Sequence, residues 1–442
     1  MKDFFKKIHF VGIGGIGTSS LAQFFLKKGH IVSGSDIKKS EITEFLEKKG
    51  VKIFLGHKKE NLPEGKFSLI YSLACKKNIE VLEARKRKAK VFSFPEALGI
   101  LTKKYFSICV SGTHGKSTTT ALISLGLIRA KKDPTCIIGT KLKEFKNSNF
   151  RLGKSKILVL EADEYENAFL NYHPNVIVIT NIEKEHLDFF KNEKNIIESF
   201  KKFGLNLKRN GFIVVNEDQK NSKKVGEWLK KKGKKVIFAS LKEETSDLIK
   251  KFLKIPGEHN LSNALLAWKV LKELGVKKEI ILKTFFEYKG AWRRMEIIKK
   301  RPFILISDYA HHPTEIKATI NALKEKFPKK RFVLIFQPHQ YERTKLLFDD
   351  FVKSFNEVDI LVLTEIFEVK GRETKKDISA KDLKGALQSF WQKTGKKGKV
   401  FFVEKENLED FLKKILQKKD LVVLMGAGDI DEKRKALKKI KI

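Results

Sequence analysis

The chain has 442 residues, with 92 Lys and Arg against 53 Asp and Glu, a formal charge of +39. That length predicts two to three domains, and a hydrophobic fraction of 41% without any apolar run near the roughly 20 residues of a bilayer span argues against a membrane span. The lysines are spread through nearly every surface segment, as in Lys38-Lys39, Lys48-Lys49, Lys230 to Lys235 and Lys438-Lys439; without one basic patch interleaved with aromatics, nucleic-acid binding is disfavoured, while anionic small molecules are still attracted.

Met1 to Lys7 holds three lysines but runs straight into strand Ile8 to Val11 without a signal-peptide core or a cleavage site, so a cytoplasmic location is expected. Cys75, Cys109 and Cys136 are odd in number, far apart and in apolar or small-residue surroundings, which predicts buried, unpaired thiols instead of disulfides or a zinc site. The first strand feeds Gly12-Ile-Gly14-Gly15-Ile-Gly17 and a helix from about Thr18 to Lys28. This is a dinucleotide-binding turn in its required context: helix N-terminal amides there receive phosphate. A second strand ends in Ser33-Gly34-Ser35-Asp36, with the acid where such domains contact a ribose hydroxyl. The turn alone fits a nicotinamide cofactor, another nucleotide, or a structural role.

A second block opens with strand Tyr105 to Val110, then Ser111-Gly112-Thr113-His114-Gly115-Lys116-Ser117-Thr118-Thr119-Thr120 and an apolar helix. The order is that of a P-loop. Backbone amides wrap phosphate oxygens, Lys116 neutralises the transferring phosphoryl group, and the Ser117 hydroxyl suits Mg²⁺. Val110 stands where the general loop has glycine, which leaves the narrower form Gly-Thr-x-Gly-Lys-Ser/Thr. Strand Ile157 to Leu160 delivers Glu161-Ala-Asp163-Glu164, and strand Asn175 to Ile179 delivers Thr180-Asn181-Ile-Glu183-Lys-Glu185-His186. Ligands of open parallel sheets sit beyond the C-terminal strand ends, so Glu161 and His186 are expected to converge on the P-loop phosphates, Glu161 as a metal ligand.

A third block begins near Gly290 to Arg294 and alternates helices with strands Phe303 to Ser307, Arg331 to Phe336, Ile360 to Thr364, Val400 to Val403 and Leu421 to Leu424. The alternation predicts an α/β protein of three domains: a Rossmann-like domain over 1–101, a P-loop ATPase-type domain with a mainly parallel sheet over 102–290, and a Rossmann-like domain over 291–442.

Taken in order, these motifs resemble the Mur ligases over nearly the whole chain. The series continues with Pro256-Gly-Glu-His259-Asn260-Leu-Ser-Asn263, Arg293-Arg294, Asp308-Tyr309-Ala-His311-His312-Pro313, Phe336-Gln-Pro-His339-Gln340-Tyr341-Glu-Arg343-Thr344 and Met425-Gly-Ala-Gly428-Asp429. The resemblance implies a ligase of peptidoglycan precursor synthesis that uses ATP and Mg²⁺ to join L-alanine to the lactyl carboxylate of UDP-N-acetylmuramate through an acyl phosphate. It assigns the UDP-sugar to Gly12, Gly14, Gly15, Gly17, Asp36, His57, Tyr309 and His311. ATP goes to Gly112, Thr113, His114, Gly115, Lys116, Ser117, Thr118, His259, Asn260, Asn263, Arg293, Arg294 and Asp308. Arg343 is matched to the amino acid's carboxylate, Ser117, Glu161 and His186 to the metal, and Lys116, Glu161 and His186 to catalysis.

Departures from the family pattern stand beside the matches. Ser117 replaces a usual Thr and keeps the hydroxyl, and Glu185 replaces an Asp beside His186. Gln340 replaces an Arg, removing a cation that an amide does not reproduce. The stretch 206–254 is short, and Glu368-Val-Lys-Gly371-Arg372-Glu373 replaces a small-residue segment. The alternative reading is a recycling ligase that attaches a preformed murein peptide to the same UDP-sugar, toward which Ala162 to Phe169 leans. More distant alternatives are an NAD-binding oxidoreductase and a basic nucleic-acid-binding protein.

Overall fold

Short runs rich in Val, Ile and Leu become strands buried on both faces, and the amphipathic segments between them cross over as helices, the arrangement that parallel sheets require. The computed structural model describes residues 3–369 and 376–442; Gly371, Arg372 and Glu373 of the unusual segment lie outside the described residues. The protein is a three-domain α/β structure with parallel-dominated sheets.

The first sheet contains β1 (Lys7–Val11), β2 (Ile31–Asp36), β3 (Lys52–Leu55), β4 (Phe67–Tyr71) and β5 (Lys90–Ser93), in the order β3-β2-β1-β4-β5. All its pairings are parallel. The second contains β6 (Phe106–Ser111), β7 (Thr135–Leu142), β8 (Ser148–Arg151), β9 (Ile157–Glu161), β10 (Val176–Ile179), β11 (Phe212–Asn216) and β12 (Val236–Ala239), in the order β12-β11-β10-β6-β9-β7-β8. Only the β7–β8 hairpin at its edge is antiparallel. The third runs β13-β14-β18-β15-β16-β17, with β13 (Glu296–Lys299), β14 (Ile304–Asp308), β15 (Phe332–Phe336), β16 (Ile360–Leu363), β17 (Lys399–Phe402) and β18 (Leu421–Met425); β13 alone is antiparallel.

The chain groups into two compact units, Met1–Leu253 with Ser262–Tyr288, and Lys254–Leu261 with Lys289–Ile442. Within the first unit, one apolar core is continuous from Ile8, Phe24 and Leu98 to Phe150, Leu160 and Phe200. Helix Ile16–Lys27 joins the two sheets there. The Phe24 ring meets Phe150 edge-on at 6.3 Å, and the buried Gln23 amide donates to Asn149 Oδ1 (3.0 Å) while accepting from the Ser148 hydroxyl (3.0 Å). Helix Phe94–Lys104 leads from β5 almost directly into β6. In the second unit, the two faces of the third sheet are covered by separate apolar clusters, one around Phe332, Phe336 and Trp391 and the other around Phe303, Leu408 and Leu437.

Candidate functional site

β6 lies between β9 and β10, with Val110 opposite Glu161 and Ser111 opposite Ile179. The three strands therefore end together, and the loop after β6 meets residues from both neighbours. Gly112 (φ +133°) and Gly115 (φ +80°) hold conformations that side chains rarely adopt, and a Cβ on either would collide, with Thr180 Oγ1 and with the Asn263 amide respectively. The loop is braced from β10's end. Thr113 N donates to Asn181 O (3.1 Å), His114 N to Asn181 Oδ1 (2.7 Å), the Thr180 hydroxyl to His114 O (2.5 Å), and Glu183 N to the Thr113 hydroxyl (2.9 Å). In helix Lys116–Arg129 Thr119 N donates to Gly115 O (3.0 Å), so the amides of Lys116, Ser117 and Thr118 project from the helix start without intrahelical acceptors. A helix start with such amides is an anion site.

Lys116 Nζ is held by Gly112 O (2.5 Å), Thr113 O (3.2 Å) and both Glu164 oxygens (3.3 and 3.0 Å). Burial alone would lower its pKa, but Glu164, Asp163 and Glu161 outweigh it and carry it up to about 12. The Ser117 hydroxyl donates to Glu161 Oε2 (3.2 Å), and Gly139 N from β7 donates to Glu161 Oε1 (2.5 Å). His186 stands on a left-handed residue (φ 54°) with Nε2 4.0 Å from Glu164 Oε1 and Nδ1 3.9 Å from Glu185 Oε1, its ring against Tyr165. Of the three residues matched to the metal, Ser117 and Glu161 touch directly, whereas ligand atoms of His186, Asp163 and Glu164 lie within 4.8 Å of one another. Glu164, Thr180 and Asn181 stand in the sequence motifs but carry no role that the sequence alone assigns. The signal that could have found them is the strand-end rule applied to every polar residue after β9 and β10.

At the first sheet, the Gly12–Gly17 turn follows the central strand. Gly12 N donates to Ser35 O (2.9 Å), and Asp36 Oδ2 accepts from Gly14 N (2.8 Å), so this acid shapes the turn itself. A Cβ on Gly14 would stand 2.8 Å from that same oxygen, and one on Gly17 2.9 Å from the Phe94 ring. His57 follows β3 at the same sheet edge, bonded through Nδ1 to the Ser35 hydroxyl (2.9 Å).

In the second unit, the adjacent strands β14, β18 and β15 end together and bring Tyr309, His311, His339 and Arg343 to one edge. His311 Nδ1 lies 3.1 Å from Tyr309 O, and its ring meets that of His339 at 5.6 Å. His339 stacks on Phe367 (5.4 Å, 14°), and Arg343 Nη1 reaches His339 Nδ1 at 2.9 Å. Gln340 has φ 73° and donates its amide N–H to Phe367 O (2.9 Å). Arg293 is buried and its Nη2 donates to the carbonyls of Gly426 and Gly428, while Arg294 lies over the Tyr309 ring at 5.0 Å and near Glu315 (3.7 Å). Burial pushes the Asp308 carboxyl up, against the pull of Arg294; it accepts from the amides of Met295 (2.7 Å) and Ala310 (3.0 Å). Helix Glu258–Glu273 carries His259, Asn260 and Asn263. Asn263 abuts Gly115 in the first unit. His259 and Asn260 belong to the second, where Asn260 Nδ2 donates to Pro256 O (2.7 Å).

Three family models match in sequence: "Mur ligase family, catalytic domain" over residues 7–106, "Mur ligase middle domain" over 110–271 and "Mur ligase, glutamate ligase domain" over 293–428. The chain is 39% identical to the UDP-N-acetylmuramate–L-alanine ligase of Aquifex aeolicus, covering 98% of this chain and 97% of that one. It is 37% identical to the enzyme of the same name from Caldicellulosiruptor saccharolyticus, covering 96% and 97%. Among solved structures it resembles the UDP-N-acetylmuramate-alanine ligase of Thermotoga maritima (TM-score 0.80, 27% identity, 98% of each chain). A murein peptide ligase from Psychrobacter arcticus shares the fold (TM-score 0.71, 23% identity, 99% of each chain).

Proposed function

The chain belongs to the Mur ligase family, and from that premise we propose that it is an ATP-dependent ligase joining L-alanine to the lactyl carboxylate of UDP-N-acetylmuramate, in the cytoplasm. The observation that carries the ATP half is the P-loop helix start with Lys116 held by Glu164 beside the Ser117–Glu161 pair. For the acceptor half, support comes from the near-full-length relatives, which are named for UDP-N-acetylmuramate and L-alanine.

In this reading the γ-phosphoryl group of ATP passes to the lactyl carboxylate, giving an acyl phosphate and ADP. The amine of alanine then attacks the acyl carbon and phosphate leaves. Little covalent chemistry is asked of the protein, whose work is positioning and charge stabilisation. The amides of Lys116 to Thr118 hold phosphate oxygens, and the Lys116 ammonium, ionised at any physiological pH, offsets the charge of the transferring group. Glu164 keeps that ammonium aimed at the loop.

Ser117 and Glu161 present hard oxygen donors 3.2 Å apart, a donor set that fits Mg²⁺. Bound there, the cation would withdraw charge from phosphate oxygens. Arg343 and the Tyr309–His311 pair are assigned to the amino acid's carboxylate and to the UDP-sugar respectively. The test is phosphate release with ATP, UDP-N-acetylmuramate and a panel of amino acids, with a murein tripeptide as a further arm. Alanine is expected to give the highest rate. Use of the tripeptide alone would replace this reading with the recycling ligase.

A further inference from the structure

Behind the first glycine turn runs a buried chain of hydrogen bonds whose proton positions follow from counting. His9 and Glu80 are both 0% exposed, one in the middle of β1 and the other in the first turn of helix Ile79–Lys86. Glu80 Oε1 accepts from Lys58 N (3.0 Å) and Asn61 Nδ2 (2.6 Å). Glu80 Oε2 faces His9 Nε2 (3.1 Å) and the Ser35 hydroxyl (2.5 Å). A carboxyl group facing an amide N–H and an amide NH₂ on one oxygen and two further donors on the other is satisfied as a carboxylate, which only accepts. His9 Nε2 and Ser35 Oγ must then both donate to it.

The single Ser35 proton is thereby used, so the 2.9 Å contact between Ser35 Oγ and His57 Nδ1 requires that His57 donate. In neutral His57 the proton is on Nδ1, and Nε2 carries the lone pair. Among the described residues Nε2 makes no hydrogen bond, and the His57 side chain keeps 15% of its surface exposed. Its position is set by Gly56 N donating to Asp36 O (2.8 Å), next to the acid that holds Gly14.

We propose that Glu80, acting through Ser35, is a positioning residue that fixes the Nδ1–H tautomer of His57, so that His57 Nε2 accepts a hydrogen bond from an N–H or O–H group of the substrate's nucleoside. The inference rests on the reading that the first sheet binds a UDP-sugar. Its chemistry selects a donor, either the imide N–H of a pyrimidine base or a ribose hydroxyl. The direction of the bond is what the buried carboxylate decides: were Ser35 free to donate to His57, the ring would carry its proton on Nε2 and select an acceptor.

The first test reads the tautomer without ligand. In the full chain carrying ¹⁵N-histidine, the His57 ring is expected to show a protonated Nδ1 and an unprotonated Nε2; the reverse assignment in the wild-type protein would overturn the proposal. Ser35→Ala removes the acceptor of the Nδ1 proton and is expected to shift His57 toward Nε2–H and to weaken UDP binding about tenfold, with the KM for ATP unchanged. Glu80→Gln, which offers one accepting oxygen to the same donors, is expected to move both readouts in the same direction. Unchanged UDP affinity in Ser35→Ala would sink the idea, and a rise in the ATP KM would mark general damage instead of lost positioning and would count against it.

UDP and its N3-methyl, 2′-deoxy and 3′-deoxy analogues identify the donor. Loss confined to the first analogue selects the imide and loss confined to a deoxy analogue selects that ribose hydroxyl; equal binding of all four overturns the donor contact. Failure of the wild-type chain to bind UDP would overturn the UDP-sugar reading itself, an outcome distinguishable because the tautomer is measured independently.

Discussion

Lys116, half-buried, and Glu80, fully buried, are two charges on which the site depends, and each is kept ionised by named partners. Lys116 would lose charge through burial but is carried up to about 12 by Glu164, Asp163 and Glu161. Lys116→Ala is therefore expected to lower ligation at least about a hundredfold, the scale on which removal of a single transition-state donor is felt, while UDP binding, measured by titration, stays near wild type. Glu80 shows the opposite sign. Burial pushes its carboxyl up, but hydrogen bonds from His9, Ser35 and Asn61 win and hold it below the ordinary value of 4.5.

A carboxyl whose folded pKa is depressed contributes stability above its unfolded value and loses it as pH falls through the folded value. The first unit is therefore expected to lose thermal stability in acid below the ordinary glutamate range, and Glu80→Gln to flatten that part of the melting-temperature profile. Neither pairing is legible in the sequence. Lys116 and Glu164 are separated by 48 positions, and His9 and Glu80 by 71, and no local pattern marks which acid answers which base.

Several strands are legible in the sequence as elements. The runs at β1, β6, β9, β10, β14, β15, β16, β17 and β18 were anticipated to within a residue or so at most ends, because β-branched apolar runs between helices have few other uses. The strands β3, β4, β5, β7, β11 and β12 are not delimited by the sequence reading, although β4 and β11 are fully buried. Nor are the edge strands β8 and β13, which are short and paired antiparallel, so nothing in their own composition separates them from loop. Helix ends carry their own signals.

Ser93 closes a capping box, its hydroxyl accepting from Glu96 N (3.4 Å) while Glu96 Oε2 accepts from Ser93 N (2.7 Å), and Pro95 stands in the first turn. Because helix Phe94–Lys104 links the first two sheets, Ser93→Ala is expected to cost roughly 0.5–2 kcal/mol, read as an earlier first transition in denaturant unfolding. ATP binding should be retained, since the P-loop is braced separately by Thr180 and Asn181.

Across the whole molecule, a charge of +39 surrounds a protein whose two assigned nucleotide substrates are anionic. A field of that sign speeds encounter with nucleotides and is screened by salt. The kcat/KM for UDP-N-acetylmuramate is expected to fall several-fold between roughly 0.05 and 0.3 M salt, with kcat little changed, and a flat profile would remove any steering role for the lysines. Among the described residues, no helix is long and apolar enough to cross a membrane.

By itself the sequence determined the α/β class, the two glycine loops and the family. Each of these is written in contiguous residues or in their order along the chain, where periodicity and turn chemistry act locally. The tertiary structure alone decided that the first two sheets share one core, that Arg293 Nη2 bonds the carbonyls of Gly426 and Gly428, and that Glu164 is the partner of Lys116. It also decided which way the proton points at His57. These are contacts between distant positions, and they depend on which strand ends meet and on how many donors a buried oxygen must satisfy, quantities that exist only once the sheets have formed.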